Sequence, residues 1–151
     1  MIPLRPATAA DIPVLFEIRL AVRENAASRG ALTAGGVTPR AVARMLANGA
    51  AGWIAGAGAG FAMADARDGN LFALFVRPGQ EGQGFGRALL RQAEAWLAGR
   101  GWRQAWLLTG ADPSLRAQGF YRAQGWRAAG RAPRGEQRFV RDLSTPSRGG
   151  A

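Results

Sequence analysis

The chain contains no cysteine, no histidine and no lysine, and a single tyrosine. These absences remove whole chemistries. Without Cys and His there is no thiol nucleophile, no imidazole base and no Cys/His zinc site, and without Lys there is neither a Schiff base nor a Walker A phosphate clamp. What is left for catalysis is carboxylates, Tyr, Ser/Thr, Arg, backbone amides and bound water, an inventory that suits direct transfer with no covalent enzyme intermediate and no metal. Long apolar runs are missing too: no stretch reaches the eighteen or more residues of a membrane-spanning helix. The N-terminal MIPLRPATAAD lacks the regions of a secretory signal, so the expectation is a cytoplasmic protein with no membrane partner.

Acids are scarce as well, ten against twenty arginines, for a formal charge of +10. Such an excess attracts nucleic acid, acidic membranes or an anionic cofactor. From Arg87 to Arg141, however, the arginines are spread among the expected helices and strands, with no compact basic run or aromatic-interleaved motif, so much of the excess reads as solvated surface and nucleic acid is not the expected partner. With 151 residues, 48% of them hydrophobic, the chain suits one compact domain over residues 1–143. Residues 144–151, STPSRGGA, have too little apolar content to pack and are expected to form a disordered tail.

Periodicity and turn chemistry predict a strand over 2–6, a helix started by Thr8 and Asp11 and running to about Ala27, and a short helix opened by Thr38 and Pro39 after a glycine-containing loop. A hairpin over 52–67, turning near Gly56 to Gly60, leads through a turn at 68–70 into a strand over 71–76. Then come a helix over 84–99, a strand over 104–109, a helix over 113–124 and strands near 126–129 and 137–143.

The densest signal lies at residues 74–90, LFVRPGQEGQGFGRALL, where an apolar strand enters a glycine-rich turn and then a helix. Gly82, Gly84 and Gly86 have no Cβ, so the backbone can approach a ligand closely, while the helix start offers unpaired N–H groups and a positive dipole end. A phosphate or pyrophosphate is the expected guest. The spacing misses the dinucleotide fingerprint G-x-G-x-x-G, since Arg87 stands at its last position.

The frame Glu81, Gly84, Gly86 resembles the coenzyme A pyrophosphate loop [QR]-x-x-G-x-[GA] of the GNAT superfamily of N-acetyltransferases, with an acid where Gln or Arg is usual. Residues 112–126, DPSLRAQGFYRAQGW, resemble that family's other signature, N-x-x-A-x-x-[LF]-Y-x-x-x-G-[FW]: Ala117, Phe120, Tyr121, Gly125 and Trp126 fall in register and Ser114 stands in place of Asn. The resemblance covers nearly all of residues 1–143. It implies an α/β (α+β) fold with a mixed, mostly antiparallel central sheet flanked by helices, in which the parallel strands 71–76 and 104–109 splay apart to admit the cofactor.

It further implies an acetyl-CoA-dependent N-acetyltransferase acting on a small-molecule or peptide amine, with acetyl-CoA as co-substrate. Leu74, Phe75 and Val76 would pair with pantetheine, the Phe75 amide polarising the thioester oxygen. The segment Glu81, Gly82, Gln83, Gly84, Phe85, Gly86 and Arg87 would hold the pyrophosphate, with Ser114, Ala117, Phe120 and Tyr121 completing the cofactor site. Tyr121 would protonate the departing thiolate. Many members carry a glutamate base on the strand that here reads LFALFV, which has no carboxylate. Glu24, Asp65 and Asp112 are the candidates left, and a water chain or uptake of neutral amine could replace a base.

The acceptor side would draw on Arg19, Arg23, Glu24 and Asn25 from the first helix, an arginine holding an acceptor carboxylate in a bidentate pair while Glu24 or Asn25 receives the amine. Phe72, Trp106 and Trp53 would supply an apolar floor. Two other readings stand beside the enzyme: an acyl-CoA binding or sensing module without turnover, and a basic protein associated with nucleic acid. A homodimer stays open.

Overall fold

The computed structural model describes residues 2–22 and 27–143. Along the chain run β1 (Leu4–Pro6), α1 (Ile12–Ala21), α2 (Arg29–Ala34), α3 (Pro39–Ala47), β2 (Ala50–Ala55), β3 (Gly60–Asp65), β4 (Asn70–Val76), α4 (Phe85–Gly99), β5 (Gln104–Thr109), α5 (Arg116–Ala123), β6 (Arg127–Arg131) and β7 (Gln137–Asp142). The strands join in one sheet of order β1-β2-β3-β4-β5-β7-β6, antiparallel throughout except between β4 and β5. This is the mixed layout that the resemblance implied. No helix among the described residues is long and apolar enough to cross a membrane.

Local chemistry explains the starts of the helices. Asp11 Oδ2 accepts the Thr8 N–H at 2.8 Å, and Arg5 grips both Asp11 oxygens at 2.9 and 3.0 Å, tying the entry of α1 to β1. Thr38 Oγ1 accepts the Ala41 N–H at 3.1 Å, and Pro39 occupies the first helical position of α3. The first helix is shorter than its periodicity predicts. It ends at Ala21, where Val22 turns extended (φ −70°, ψ 132°). A helix that the sequence pattern does not predict, α2, follows. Gly30 and Thr33 give it weak intrinsic propensity, but Ser28 Oγ caps it by accepting the Ala31 N–H at 3.1 Å, and Leu32 is buried against the core. The C-terminal part expected of the first helix, residues 23–26, lies outside the described residues, as does the expected tail.

Helices cover both faces of the sheet. On one face Leu89, Leu90, Ala93 and Leu97 of α4 pack with Ala62, Ala64, Leu71 and Leu107. On the other, Ile12, Leu15, Phe16 and Ile18 of α1 and Val42 of α3 pack with Ile54, Phe61 and Met63.

The site depends on how β4 parts from its neighbour. β4 and β5 share one paired position, Asn70 with Trp106, held by Trp106 N–H to Gly69 O and Asn70 Nδ2 to Trp106 O, both at 3.1 Å. On its other edge β4 pairs with β3 through a bulge: Met63 faces Ala73 while Ala64 faces Leu71, so Phe72 is the extra residue. A bulge bends its strand and sharpens its twist. Phe72 and Ala73 both pack toward the α1 side, whereas Leu71 and Leu74 pack toward the α4 side. Meanwhile β5 stays paired with β7 from Gln104 to Thr109. Past residue 70 one edge of β4 is therefore left open.

Candidate active site

The parting of β4 and β5 opens into a cleft of about 910 Å³. Residues 71–76 form one wall and 107–109 the other, the glycine turn and first turn of α4 close one end, and Ala117, Phe120 and Tyr121 of α5 flank it. In the turn Gly82 (φ 77°) and Gly84 (φ 89°) adopt the left-handed conformation that a side chain resists. Gly84 caps α4, its carbonyl accepting the Ala88 N–H at 3.0 Å, so the amides of Phe85, Gly86 and Arg87 precede the first helical acceptor and stay available. A Cβ on Gly86 would lie 3.4 Å from Phe120 and 3.7 Å from Val76, so its absence preserves space where α4, α5 and β4 meet. These bare amides suit a pyrophosphate.

Glu81 does not aim its charge into that cradle alone. Its Oε1 accepts the Gly79 N–H at 2.6 Å and its Oε2 lies 3.4 Å from Arg116 Nη1, so the acid braces its own turn and is offset by a cation. Arg87 lines the cleft; Gln83 is exposed and not part of the lining.

On the strand, the open edge belongs to Leu74 and Val76. The Arg77 N–H donates to Ala59 O at 2.8 Å, toward β3, and main-chain groups two residues apart point the same way, so the Phe75 amide also faces β3. The Phe75 carbonyl agrees, lying 2.6 Å from where a Gly60 Cβ would sit. The expected role of the Phe75 amide does not fit this geometry, since that amide faces β3 and those of Leu74 and Val76 face the open edge, although Phe75 still lines the cleft.

Tyr121 lines the same cleft at 8% exposure, its ring set among Phe120, Trp126 and Phe139 at centroid distances of 5.4, 6.0 and 5.9 Å. Its hydroxyl makes no hydrogen bond among the described residues. Burial pushes its pKa up, which keeps the phenol a neutral proton donor at ordinary pH.

Behind it sits a polar brace that sequence reasoning missed. Trp126 Nε1 donates to buried Glu94 at 2.9 Å, and Glu94 also pairs with Arg91 (2.8 Å) and Arg141 (3.4 Å). Arg141 and Arg91 both donate to the Gln124 carbonyl, at 2.5 and 3.2 Å, and the Arg141 guanidinium fills the space a Cβ on Gly125 would need. The available signal was a lone acid on the apolar stripe of α4.

The remaining predicted residues separate. Ser114 is not in the lining; its N–H and Oγ bind Asp112 at 2.9 and 2.8 Å, and these bonds hold the exposed Asp112 carboxyl below its usual range. Asp65 is buried against Arg67, whose Nη2 lies 2.9 Å away, and that partner likewise lowers its pKa. Neither acid lines the cleft, where Glu81 is the one carboxylate among the described residues. Arg23, Glu24 and Asn25 lie outside the described residues. Phe72 reaches the cleft, but Trp106 does not: its Nε1 is spent on Asp68 O at 3.0 Å and Arg138 covers its ring. Trp53 stacks edge-on with Trp96 beside a separate hollow of about 550 Å³ between α3 and β2. Arg19 lies over the Phe75 ring, its Cζ 4.5 Å from the centroid.

Also missed were Val22, Leu108, Thr109 and Gln124, all part of the lining. The rule that ligands sit beyond the carboxyl ends of parallel strands points to Leu108 and Thr109; Val22 has no such signal.

The profile of the acetyltransferase (GNAT) family matches residues 38–126, which include the glycine turn, β5 and α5. Solved structures share the fold. The PaiA N-acetyltransferase of Thermoplasma acidophilum, in complex with coenzyme A, matches with a TM-score of 0.77 at 16% identity over 95% of this chain and 99% of its own. The ribosomal-protein-S18-alanine N-acetyltransferase of Escherichia coli gives 0.71 at 21% identity, covering 99% and 97%. An acetyltransferase of Thermus thermophilus gives 0.66 at 25% identity, covering 95% and 97%. None of the curated proteins matches this sequence.

Proposed function

The chain belongs to the acetyltransferase (GNAT) family, and on that premise we propose that it transfers an acetyl group from acetyl-CoA directly to a primary amine. The observation that carries this reading is the opened edge of β4, which runs from the glycine turn at one end to Tyr121 in the same cleft. The amides of Phe85, Gly86 and Arg87 take the pyrophosphate, and the Leu74 and Val76 main chain takes the pantetheine as an added strand. Bound acetyl-CoA supplies an activated acyl group whose leaving atom is sulfur.

The Leu74 amide, held on the open edge, donates to the carbonyl oxygen as charge builds there during attack. The amine nitrogen bonds the acetyl carbon, the carbon–sulfur bond breaks, and Tyr121 gives its proton to the departing thiolate. The proton shed by the amine goes to Glu24 or to water in the cleft. The thioester end of the transfer needs only hydrogen-bond donors and one phenol, which suits a chain with no Cys, His or Lys.

Coenzyme A release from acetyl-CoA, followed with a panel of amino acids, polyamines and peptides, tests the reading. Amine-dependent release is the expected result. Tight coenzyme A binding with no release on any amine would instead assign the chain to the acyl-CoA binding modules.

A further inference from the structure

Arg19 is at odds with the other half-buried and exposed arginines that hold partners. Arg5, Arg67, Arg91, Arg116, Arg127 and Arg141 each pair with an acid. Among the described residues Arg19 pairs with none, and its Nη1 is buried without a hydrogen-bond partner. A buried donor left unsatisfied is costly, and a half-buried guanidinium without a counter-charge more so. Burial accordingly holds its pKa below the ordinary arginine value. What fixes it in place is the face of Phe75. Stacking occupies the plane of the guanidinium and leaves its N–H edge for something else.

Position says what that is. Phe75, on whose ring Arg19 lies, lines the cleft, as do Val22, three residues further along the chain, and Phe72, while Arg19 itself is not part of the lining. Arg87 and Arg116, the cations that line the cleft, belong to the glycine-turn end and the start of α5. Arg19 is a separate positive charge, one phenylalanine side chain away from the β4 main chain.

We propose that the acceptor is a small amine bearing a carboxylate, and that Arg19, stacked on Phe75, receives that carboxylate and sets specificity for it. The inference rests on the acetyl-transfer reading above and narrows its acceptor. A guanidinium fork matches the two oxygens of a carboxylate in one plane, and its single charge matches a single negative charge. The apolar Val22 and Phe72 suit the short hydrocarbon between the two groups. Arg19 stands beside the cleft, stacked on a residue that lines it, so the carboxylate it receives extends from an amine held within the cleft.

The test compares amino acids with their decarboxylated counterparts, leucine with isoamylamine, phenylalanine with phenethylamine and β-alanine with ethylamine, by kcat/KM for coenzyme A release at saturating acetyl-CoA. Within each productive pair the carboxylate member is expected to be better by about 10- to 100-fold, the span given by a hydrogen bond to a charged group, chiefly through KM. Arg19→Gln brings that ratio toward one, and Arg19→Lys, which keeps the charge but loses the fork, restores part of it. A wild-type ratio near one overturns the proposal without any variant, and so does a preference that survives in a folded Arg19→Gln protein; either result leaves acetyl transfer standing. Absence of release with every amine overturns the acetyl-transfer reading, and the acceptor assignment falls with it.

Discussion

The two ends of the cleft are built from different materials. At the glycine-turn end the chemistry is main chain: two glycines at positive φ, three helix-start amides and the open edge of β4. Around Tyr121, and beside the cleft where Arg19 of α1 stacks on Phe75 of β4, it is side chains held by packing. Backbone sites are rigid because the fold itself sets their geometry. Side-chain sites have to be braced, here by Glu94 behind Trp126 and by Phe75 under Arg19. If this contrast is right, substitutions at one end should be felt separately from those at the other.

The largest separation is expected from Tyr121→Phe. It deletes one proton donor and keeps the ring among Phe120, Trp126 and Phe139, so kcat on a productive amine falls by about 10²- to 10⁴-fold with little change in KM for acetyl-CoA. Wild-type turnover, with chemistry shown to be rate-limiting, would place the proton source elsewhere.

Next in size is Glu94→Ala. It strips the acceptor from the buried Trp126 indole and the counter-charge from Arg141, a loss of about 1–3 kcal/mol. In a domain of this length each kcal/mol moves Tm by about 2–4 °C. Thermal melting reads the loss, and because Trp126 backs Tyr121, kcat should fall with it while coenzyme A affinity holds. A parallel collapse of affinity would show that the two ends are not independent.

The same contrast explains what the sequence reveals. The glycine turn, the α4 start and the Ala117-to-Trp126 frame are legible because a backbone site needs glycine at fixed spacing within one short segment. The succession of elements along the chain follows from recognisable turns and caps, at Thr8, Thr38 and Gly56 to Gly60. Phe72 as a bulge residue is not legible, since alternation treats it as an ordinary strand position, and with it goes the direction of the Phe75 amide. Trp106 reads as cleft floor by its place on a parallel strand, yet it turns to Asp68 O. Val22, Glu94 and Arg141 meet the site only through tertiary packing. For α2, weak propensity hides a helix that Ser28 and Leu32 secure.

The smallest effect comes at acid pH. Hydrogen bonds from Arg5 and from the Thr8 amide lower the Asp11 pKa to about 2. A depressed carboxylate contributes stability above its unfolded value of 3.8, and that contribution is lost as pH falls toward 2. Because Asp11 anchors the entry of α1, hydrogen exchange of α1 amides should quicken over this range more than that of α4 amides, and Asp11→Asn should remove the difference. Equal acceleration in both helices would deny α1 this separate anchor.

The central claim, that a backbone cradle at residues 82–87 binds the cofactor, is tested most directly by titrating coenzyme A calorimetrically into the wild-type protein and into Gly84→Val. At Gly84 φ is 89°, which a β-branched residue resists, and an added Cβ would lie 3.3 Å from Ile2 Cδ1. The account predicts saturable binding by the wild type, with about 2.7 kcal/mol of added stability at a hundredfold excess over Kd, and loss of binding by a folded Gly84→Val protein; wild-type affinity in that variant would contradict it.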